Sequence, residues 1–256
     1  MGFGRLLSSI GLGGAATVDK RLERGELAPG EQVRGVVEVK GDGSEQEVNG
    51  IHLEVQTHYK RESGDNEVTA TATIERFPVS GQRTVRANSR EEIPFEFRLP
   101  YDTPLTLGRS SVWIRTSLDV RMAIDPSDSD KITVRPTRTM RTVLNSMKSL
   151  GFRMKDAENE ELPHRLRRRL PFGQELEFVA GSGEFRGRFD EVELVMFPSE
   201  NSVELTLQID RRARGLGSLL SESMGTDESY ASLTVPEGSA PERVRDILAQ
   251  TIRQHA

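Results

Sequence analysis

The chain has 256 residues and contains no cysteine. This absence excludes disulfide bonds, thiolate nucleophiles and cysteine metal ligands, and it suits the reducing cytoplasm, where we expect the protein to act. Aromatic residues make up only 5% of the chain, and no apolar run approaches the ~18 residues that a membrane-spanning helix needs. The sequence therefore predicts a polar globular protein without a membrane span.

Neither sign of charge dominates the sequence. Lys and Arg number 35 against 40 Asp and Glu, for a net charge of −5, and both signs are spread evenly over the two halves. A basic stripe or basic domain, which nucleic-acid binding requires, is missing. We therefore expect no nucleic-acid partner.

The residue patterns of known catalytic and cofactor sites are missing as well. The four histidines, His52, His58, His164 and His255, do not have the spacing of a zinc motif. His52 and His58 share one face of a predicted strand but lie roughly 20 Å apart, too far to bind one ion. Because the sequence also lacks a phosphate-binding loop and a serine nucleophile elbow, it predicts no catalytic, cofactor-binding or metal-binding residue.

One acidic group in the second half lies beside two arginines. Asp190, Glu191 and Glu193 lie close to Arg186 and Arg188 in the sequence. Paired carboxylates can perform acid–base catalysis when they flank a cleft. Glu191 and Glu193 alternate with apolar residues, however, which favours a solvated strand face paired with the arginines. A hydrolase that uses Asp190 or Glu191 is the less favoured alternative.

Residues 91–125 show the clearest strand pattern. Apolar residues occupy every second position in 93–99 and again in 112–124, which is typical of half-buried strands. Pro100 and Pro104 lie between the two runs, and proline lacks the N–H that a strand ladder requires. We therefore expect this connection to cross from one sheet to another, as in a β-sandwich.

Short strands and turns surround this stretch. Further strands are predicted at 17–24, 32–40, 49–60, 68–76, 83–86 and 131–135, with the acidic segment 125–130 as a turn. Many short strands at regular spacing are typical of an antiparallel sandwich.

The apolar period changes after Pro136. Helical spacing between Met140 and Met154, interrupted by Gly151, predicts an amphipathic linker helix that leads into a second domain. Period-2 alternation then returns, and a helix is predicted after Pro241. The predicted strands of this half are 176–178, 183–189, 192–196, 203–209 and 230–235. The predicted fold is all-β with two domains, 1–136 and 137–256, the second of which includes the linker helix and a C-terminal helix.

Two further segments are candidates for partner contacts. Phe3, Leu6, Leu7 and Ile10 lie on one face of a predicted short N-terminal helix. This helix could cover one end of the sandwich, contact a second protomer, or bind a membrane surface.

The second segment carries the densest charge. Arg165, Arg167, Arg168 and Arg169 are interpreted either as a solvated linker that pairs with the glutamates of residues 158–161, or as a docking patch for an acidic or phosphate-bearing partner.

Several stretches carry a family resemblance. The strand-proline-strand pattern of FEFRLPYDTPLT and WIRTSLDVRMAID, and the earlier APGEQVRGVVEV, resemble arrestin-like proteins. The whole chain resembles the prokaryotic sporulation-control family of arrestin-like proteins, the Spo-zero-M type. The matching segments are MGFGRLLSSIGLGGAATVDKRLERGELAPGEQVRG, VLNSMKSLGFRMKDAENEEL, LPFGQELEFVAGSGEFRGRFDEVELVMFP and VELTLQIDRRARGLGSLL.

The resemblance implies two arrestin-like antiparallel β-sandwiches joined by a linker. It also implies a cytoplasmic regulatory or scaffold protein, without catalytic residues, that acts through protein partners or a homodimer in sporulation, stress or developmental control. The alternative is a peripheral membrane adaptor that uses the N-terminal helix and the basic segment. A hydrolase is the least favoured function.

Overall fold

The structure is a computed structural model that describes residues 16–64, 66–120, 127–188, 191–210 and 230–255. Within these ranges the chain forms fourteen strands and two helices. The strands are β1 (Thr17–Leu22), β2 (Glu26–Leu27), β3 (Gln32–Lys40), β4 (Gln46–Ser63), β5 (Asn66–Ser80), β6 (Arg83–Val85), β7 (Arg90–Arg98), β8 (Val112–Val120), β9 (Ser127–Val134), β10 (Phe152–Glu161), β11 (Phe172–Ala180), β12 (Glu191–Pro198), β13 (Ser202–Asp210) and β14 (Tyr230–Pro236). The helices are α1 (Arg138–Ser149) and α2 (Pro241–His255).

The strands belong to two sheets, as the all-β prediction requires. The smaller sheet has the order β1-β3-β7. The larger sheet has the order β14-β13-β12-β11-β10-β4-β8-β9-β2, and β5 and β6 also pair with β4. Alternation places Val33, Val37 and Val39 of β3 in the same buried cluster as Ile114 and Leu118 of β8. The hydrophobic core thus joins the two sheets, and it continues into the second half, where α1 and α2 contribute Met147 and Leu248.

The predicted crossing between sheets is confirmed at the proline-bearing connection. β7 lies in the small sheet and β8 in the large one. The backbone of Leu99 is fixed at the end of β7, where its N–H donates to the carbonyl of Glu31 (2.9 Å) and its carbonyl accepts from Gly30 (2.8 Å). Pro100 and Pro104 follow, and the chain then leaves the small sheet.

The second half continues the large sheet. Strands β10 to β14 form an antiparallel meander, and β10 pairs in parallel with β4 where Glu160 lies opposite Lys60. Helices α1 and α2 contact each other. The side chain of Thr137 caps α1 by accepting from the N–H of Met140 (3.3 Å). The predicted division between residues 136 and 137 falls between β9 and α1, and it stays a prediction.

A buried polar cluster joins the two halves. Asn159 of β10 is 1% exposed. Its side-chain amide donates to the hydroxyl of Thr57 (2.9 Å) and to the carbonyl of His58 (2.9 Å). Its carbonyl oxygen accepts from the hydroxyl of Ser110 (3.1 Å). Every polar group of this side chain therefore bonds to β4 or to the segment before β8.

Three predicted elements are corrected. The first correction concerns residues 125–130, which the sequence predicted as a turn. Ser127–Val134 is a strand, so this segment is extended from Ser127 onward. Residues 125 and 126 lie outside the described ranges. The reason is an ion-pair cluster around the buried ammonium of Lys20, which lies 2.9 Å from carboxylate oxygens of both Asp128 and Asp130. The two aspartates are therefore anchored to β1 from a strand rather than placed in a turn.

The linker helix ends earlier than its apolar spacing predicts. Gly151 adopts a φ of +91°, and a Cβ there would lie 2.1 Å from the carbonyl oxygen of Ser182. Glycine thus stops the helix, and Met154 lies in β10 instead.

The predicted strand at 183–189 is also wrong over its described part, since residues 184–188 form turns. Fully buried Phe185 anchors them by stacking on Phe152, with ring centroids 5.5 Å apart.

Candidate partner-binding site

The arginine-rich segment 162–170 connects β10 to β11. Its two ends are fixed because Leu162 and Leu170 are buried and the N–H of Leu162 donates to the carbonyl of Pro171 (2.9 Å). The residues between them project as a surface loop, where the arginines at 165, 167, 168 and 169 are exposed. The hairpin connection itself therefore presents the positive charge.

Arg169 joins this loop to the first half of the chain. Its guanidinium donates to both carboxylate oxygens of Asp102 (2.6 and 2.9 Å), in the proline-bearing connection. It also donates to the carboxylate of Glu75 (2.9 Å) and the backbone carbonyl of Ile74 (2.6 Å), both in β5. A bidentate arginine–carboxylate pair is among the strongest surface contacts, so Arg169 fixes the loop against two first-half segments.

The other three arginines of the loop make contacts with different parts of the chain. Arg167 bonds to Glu161 (2.6 Å) and to the carbonyl of Leu162 (2.8 Å). Arg168 pairs with Glu204 of β13 and lies 4.9 Å from the ring centroid of Phe197.

Arg165 stacks on the ring of Tyr230, with 4.4 Å between its Cζ and the ring centroid. The sequence predicted that the arginines of this loop pair with the glutamates of residues 158–161. Of these pairs, the structure forms only the one between Arg167 and Glu161. Glu158 instead pairs with Lys60 and Arg109.

A cavity of about 790 Å³ lies beside this loop. Its apolar lining comes from both halves of the chain: Phe77, Leu99, Pro100, Pro104, Met140, Leu170, Phe172, Met196, Phe197 and Pro198. Most of the deeper members, such as Leu99, Met140 and Phe172, are less than 5% exposed, so they form walls rather than rim. No sequence pattern predicts this cavity, although one side of it is formed by the proline-bearing connection between the two clearest predicted strands.

Charged side chains form the rim of the cavity. The rim comprises Arg98, Arg168 and Arg169 together with Glu75, Asp102, Glu200 and Glu204. Arg168 and Arg169 are already paired with rim carboxylates. Arg98 makes the loosest contact, 3.8 Å from Glu200, and both of these side chains are more than half exposed. The structure therefore brings Arg168 and Arg169 together at one site, and Arg165 and Arg167 are not among the lining residues.

Other predicted partner residues lie outside the described ranges. Phe3, Leu6, Leu7 and Ile10 belong to the N-terminal segment that the structure does not describe. The N-terminal helix therefore stays a prediction.

The acidic group is not the solvated face that the sequence predicted. Glu191 and Glu193 are only 9% and 7% exposed. Their strand β12 is an inner strand, in which Glu193 lies between Glu177 of β11 and Gln208 of β13. Glu191 pairs with Lys155 (3.2 Å), not with Arg186 or Arg188, and Lys155 also bonds to Glu177 (3.0 Å). Asp190 lies outside the described residues.

Burial dominates the titration of this acidic face. It raises the pKa of Glu191 and, more strongly, that of Glu175, which is 3% exposed. Burial and the adjacent Glu158 carboxylate raise the pKa of Glu160 to about 7. Neither Glu191 nor Glu193 lines the 790 Å³ cavity.

Of the histidines, His58 makes ordinary packing contacts. The ring of His58 lies 4.5 Å from that of Trp113 and 3.2 Å from the hydroxyl of Thr71. Burial lowers the pKa of His52.

Across the described ranges no three acidic or histidine side chains form a metal-binding group. In the same part of the chain, no helix is both long and apolar enough to cross a membrane.

Comparisons with known proteins match this chain along almost its whole length. The family model described as SpoOM protein matches residues 3–213. The sporulation-control protein Spo0M of Bacillus subtilis (strain 168) is 38% identical over 256 residues, which cover 99% of this chain and 98% of that protein.

A solved structure agrees with the described fold. The crystal structure of Spo0M from Bacillus subtilis matches with a TM-score of 0.86 at 36% identity, covering 95% of this chain and 100% of that chain. The match confirms the predicted arrestin-like β fold and the family resemblance. The chain therefore belongs to the SpoOM protein family.

Proposed function

We propose that this protein is a non-catalytic regulatory scaffold that acts through protein–protein interaction in sporulation control or in related stress or developmental control. The observation that carries the proposal is the full-length match to a sporulation-control protein at 38% identity. Family membership supports the regulatory role, and the scaffold mechanism is our inference from the surface of the fold.

The arginine-rich loop is the surface that we assign to the partner. Arg165 and Arg167 project from a short connection whose ends are buried, so the loop presents charge on a rigid support. Arg168 and Arg169 extend the same surface to the rim of the cavity. Among the four arginines, Arg165 alone forms no ion pair in the part of the chain that the structure describes, whereas the other three pair with Glu161, Glu204 and Asp102. We therefore assign Arg165 as the anchor for an acidic segment of the partner, since a guanidinium is well suited to bidentate recognition of a carboxylate.

A site-specific cross-linking experiment tests the proposal. A photo-reactive amino acid replaces Arg165 in the source organism, and the same amino acid replaces Ser63, an exposed residue at the end of β4, as the control. We expect one partner to be captured from position 165 only. The purified partner should then bind the native chain, and Arg165→Glu should weaken this binding by about tenfold or more. Equal capture at both positions, or a purified partner that binds the Arg165→Glu variant equally well, would contradict the assignment.

Self-association is the second part of the proposal. An isologous homodimer is the commonest assembly of soluble proteins, and the sequence offers the apolar residues Phe3, Leu6, Leu7 and Ile10 as a contact. Light scattering of the native chain and of a variant starting at Ala15 should show a dimer that the truncation converts to a monomer. A monomer in both samples would remove this part.

The membrane-adaptor alternative uses the same N-terminal residues. Flotation of both chains with vesicles containing anionic lipid tests it, because the alternative requires that only the native chain float.

A further inference from the structure

The cavity beside the arginine-rich loop has the properties of a ligand site. Its volume of about 790 Å³ falls within the range of about 300–1,000 Å³ that small-molecule pockets occupy. The walls are formed by buried apolar side chains from the proline-bearing connection, α1, β11 and β12. Water in such a space makes few hydrogen bonds, so an apolar ligand that displaces it gains free energy.

The charges at the rim restrict the class of ligand. Four carboxylates face three guanidiniums, and Arg168 and Arg169 already pair with rim carboxylates at short range. The rim therefore offers no excess of positive charge to an anion. A cation would have to compete with the arginines for their partners, so neither sign of ligand charge is favoured.

One polar side chain that lines the cavity, Thr103, indicates that the ligand carries a hydrogen-bonding group. Thr103 is 2% exposed, and its hydroxyl has no hydrogen-bond partner within the described part of the chain. An unpaired buried hydroxyl is costly. Because Thr103 lines the cavity, a ligand that carries a donor or an acceptor is the group suited to pair with this hydroxyl.

We propose that this cavity binds an uncharged, largely apolar small molecule that carries a hydrogen-bonding group. The cavity shares Arg168 and Arg169 at its rim with the arginine surface assigned to the protein partner, but its apolar walls and Thr103 are not part of that surface. Ligand binding requires only these walls and Thr103, so it does not depend on the proposed function.

A pair of matched fluorescent probes tests the proposal on the native chain. N-phenyl-1-naphthylamine is uncharged, apolar and carries one N–H donor. 8-Anilinonaphthalene-1-sulfonate has the same ring system with an added sulfonate. We expect saturable binding of one uncharged probe per chain. The sulfonated probe should bind about tenfold more weakly, because its sulfonate loses water without gaining an unpaired cation at the rim. Equal or tighter binding of the sulfonated probe would overturn the neutral-ligand assignment.

A cavity-filling variant locates the bound probe. Ser202→Trp places an indole at a lining position, and Ser63→Trp places the same group at an exposed position away from the cavity. The first variant should weaken binding of the uncharged probe about fivefold or more, and the second should leave it unchanged. A folded Ser202→Trp protein with native affinity would show that the probe binds elsewhere and would overturn the proposal. If this variant fails to fold, the comparison of the two probes on the native chain still decides.

Discussion

Asn159 provides the sharpest test of how the two halves are joined. Its side chain makes three hydrogen bonds, to Thr57, His58 and Ser110, in a site that excludes water. Replacement by alanine removes all three and leaves the hydroxyl of Ser110, a residue 6% exposed, without this partner. At about 1 kcal/mol for each net bond, with a further cost for the stranded groups, Asn159→Ala should lower the free energy of unfolding by about 3–4 kcal/mol.

Equilibrium unfolding in urea, followed by far-ultraviolet circular dichroism, measures this change. Asn49→Ala is the matched control, because Asn49 makes one exposed side-chain bond to Asp119 (3.1 Å), and its loss should cost about 0.5 kcal/mol or less. A loss below about 1 kcal/mol for Asn159→Ala would refute the reasoning, since it would mean that the cluster is solvated or repairs itself.

Three further substitutions test other contacts. Because the pKa of Glu160 is raised from 4.5 to about 7, the folded protein holds this proton and loses stability as the pH rises between these values. Glu160→Gln should therefore be more stable than the native chain by about 3 kcal/mol near pH 8 and equal to it near pH 4, as measured by urea unfolding. Lys20→Met leaves two aspartates without their buried ammonium and should cost about 2 kcal/mol in the same assay. Gly151→Ala forces a Cβ against a carbonyl oxygen at positive φ and should cost about 2 kcal/mol or more, seen as a lower melting temperature.

Each of these substitutions has its own contrary result. A constant stability difference between Glu160→Gln and the native chain across pH would show that Glu160 has an ordinary pKa. Arg21→Met is the control for Lys20→Met, since Arg21 and its partner Glu92 are 59% and 47% exposed and the loss of this ion pair should cost about 1 kcal/mol or less. Gly187→Ala controls for positive φ alone, because open space surrounds that position. Equal costs within either pair would contradict the role of burial or of close contact.

The fold was predictable where one face of a strand is apolar and the other polar. The bounds of β3, 32–40, were predicted as observed, and the crossing after Leu99 followed from Pro100 and Pro104. Local pattern failed where a distant partner decides the conformation. Asp128 reads as a turn residue, but buried Lys20, 108 positions away, holds it in a strand.

The candidate site was predictable only in part. The arginines of residues 165–169 were identifiable from their density, but their partners Asp102, Glu75 and Glu204 come from three distant elements. The cavity has no local signature, since its walls are assembled from five separate stretches of the chain. The sequence did not predict the burial of Glu193. Alternation of apolar and polar residues identifies the two faces of a strand, but it does not show whether the polar face is covered by other parts of the chain.

Complementation is the most direct measurement of the proposed regulatory role. This chain would be expressed in a Bacillus subtilis strain that lacks its 38% identical relative, with protein accumulation confirmed by immunoblot. We expect spore formation to return toward the level of the parent strain, and the Arg165→Glu variant, which leaves the buried contacts intact, to restore it less well. Normal accumulation of the native chain with no change in spore formation would contradict the proposal.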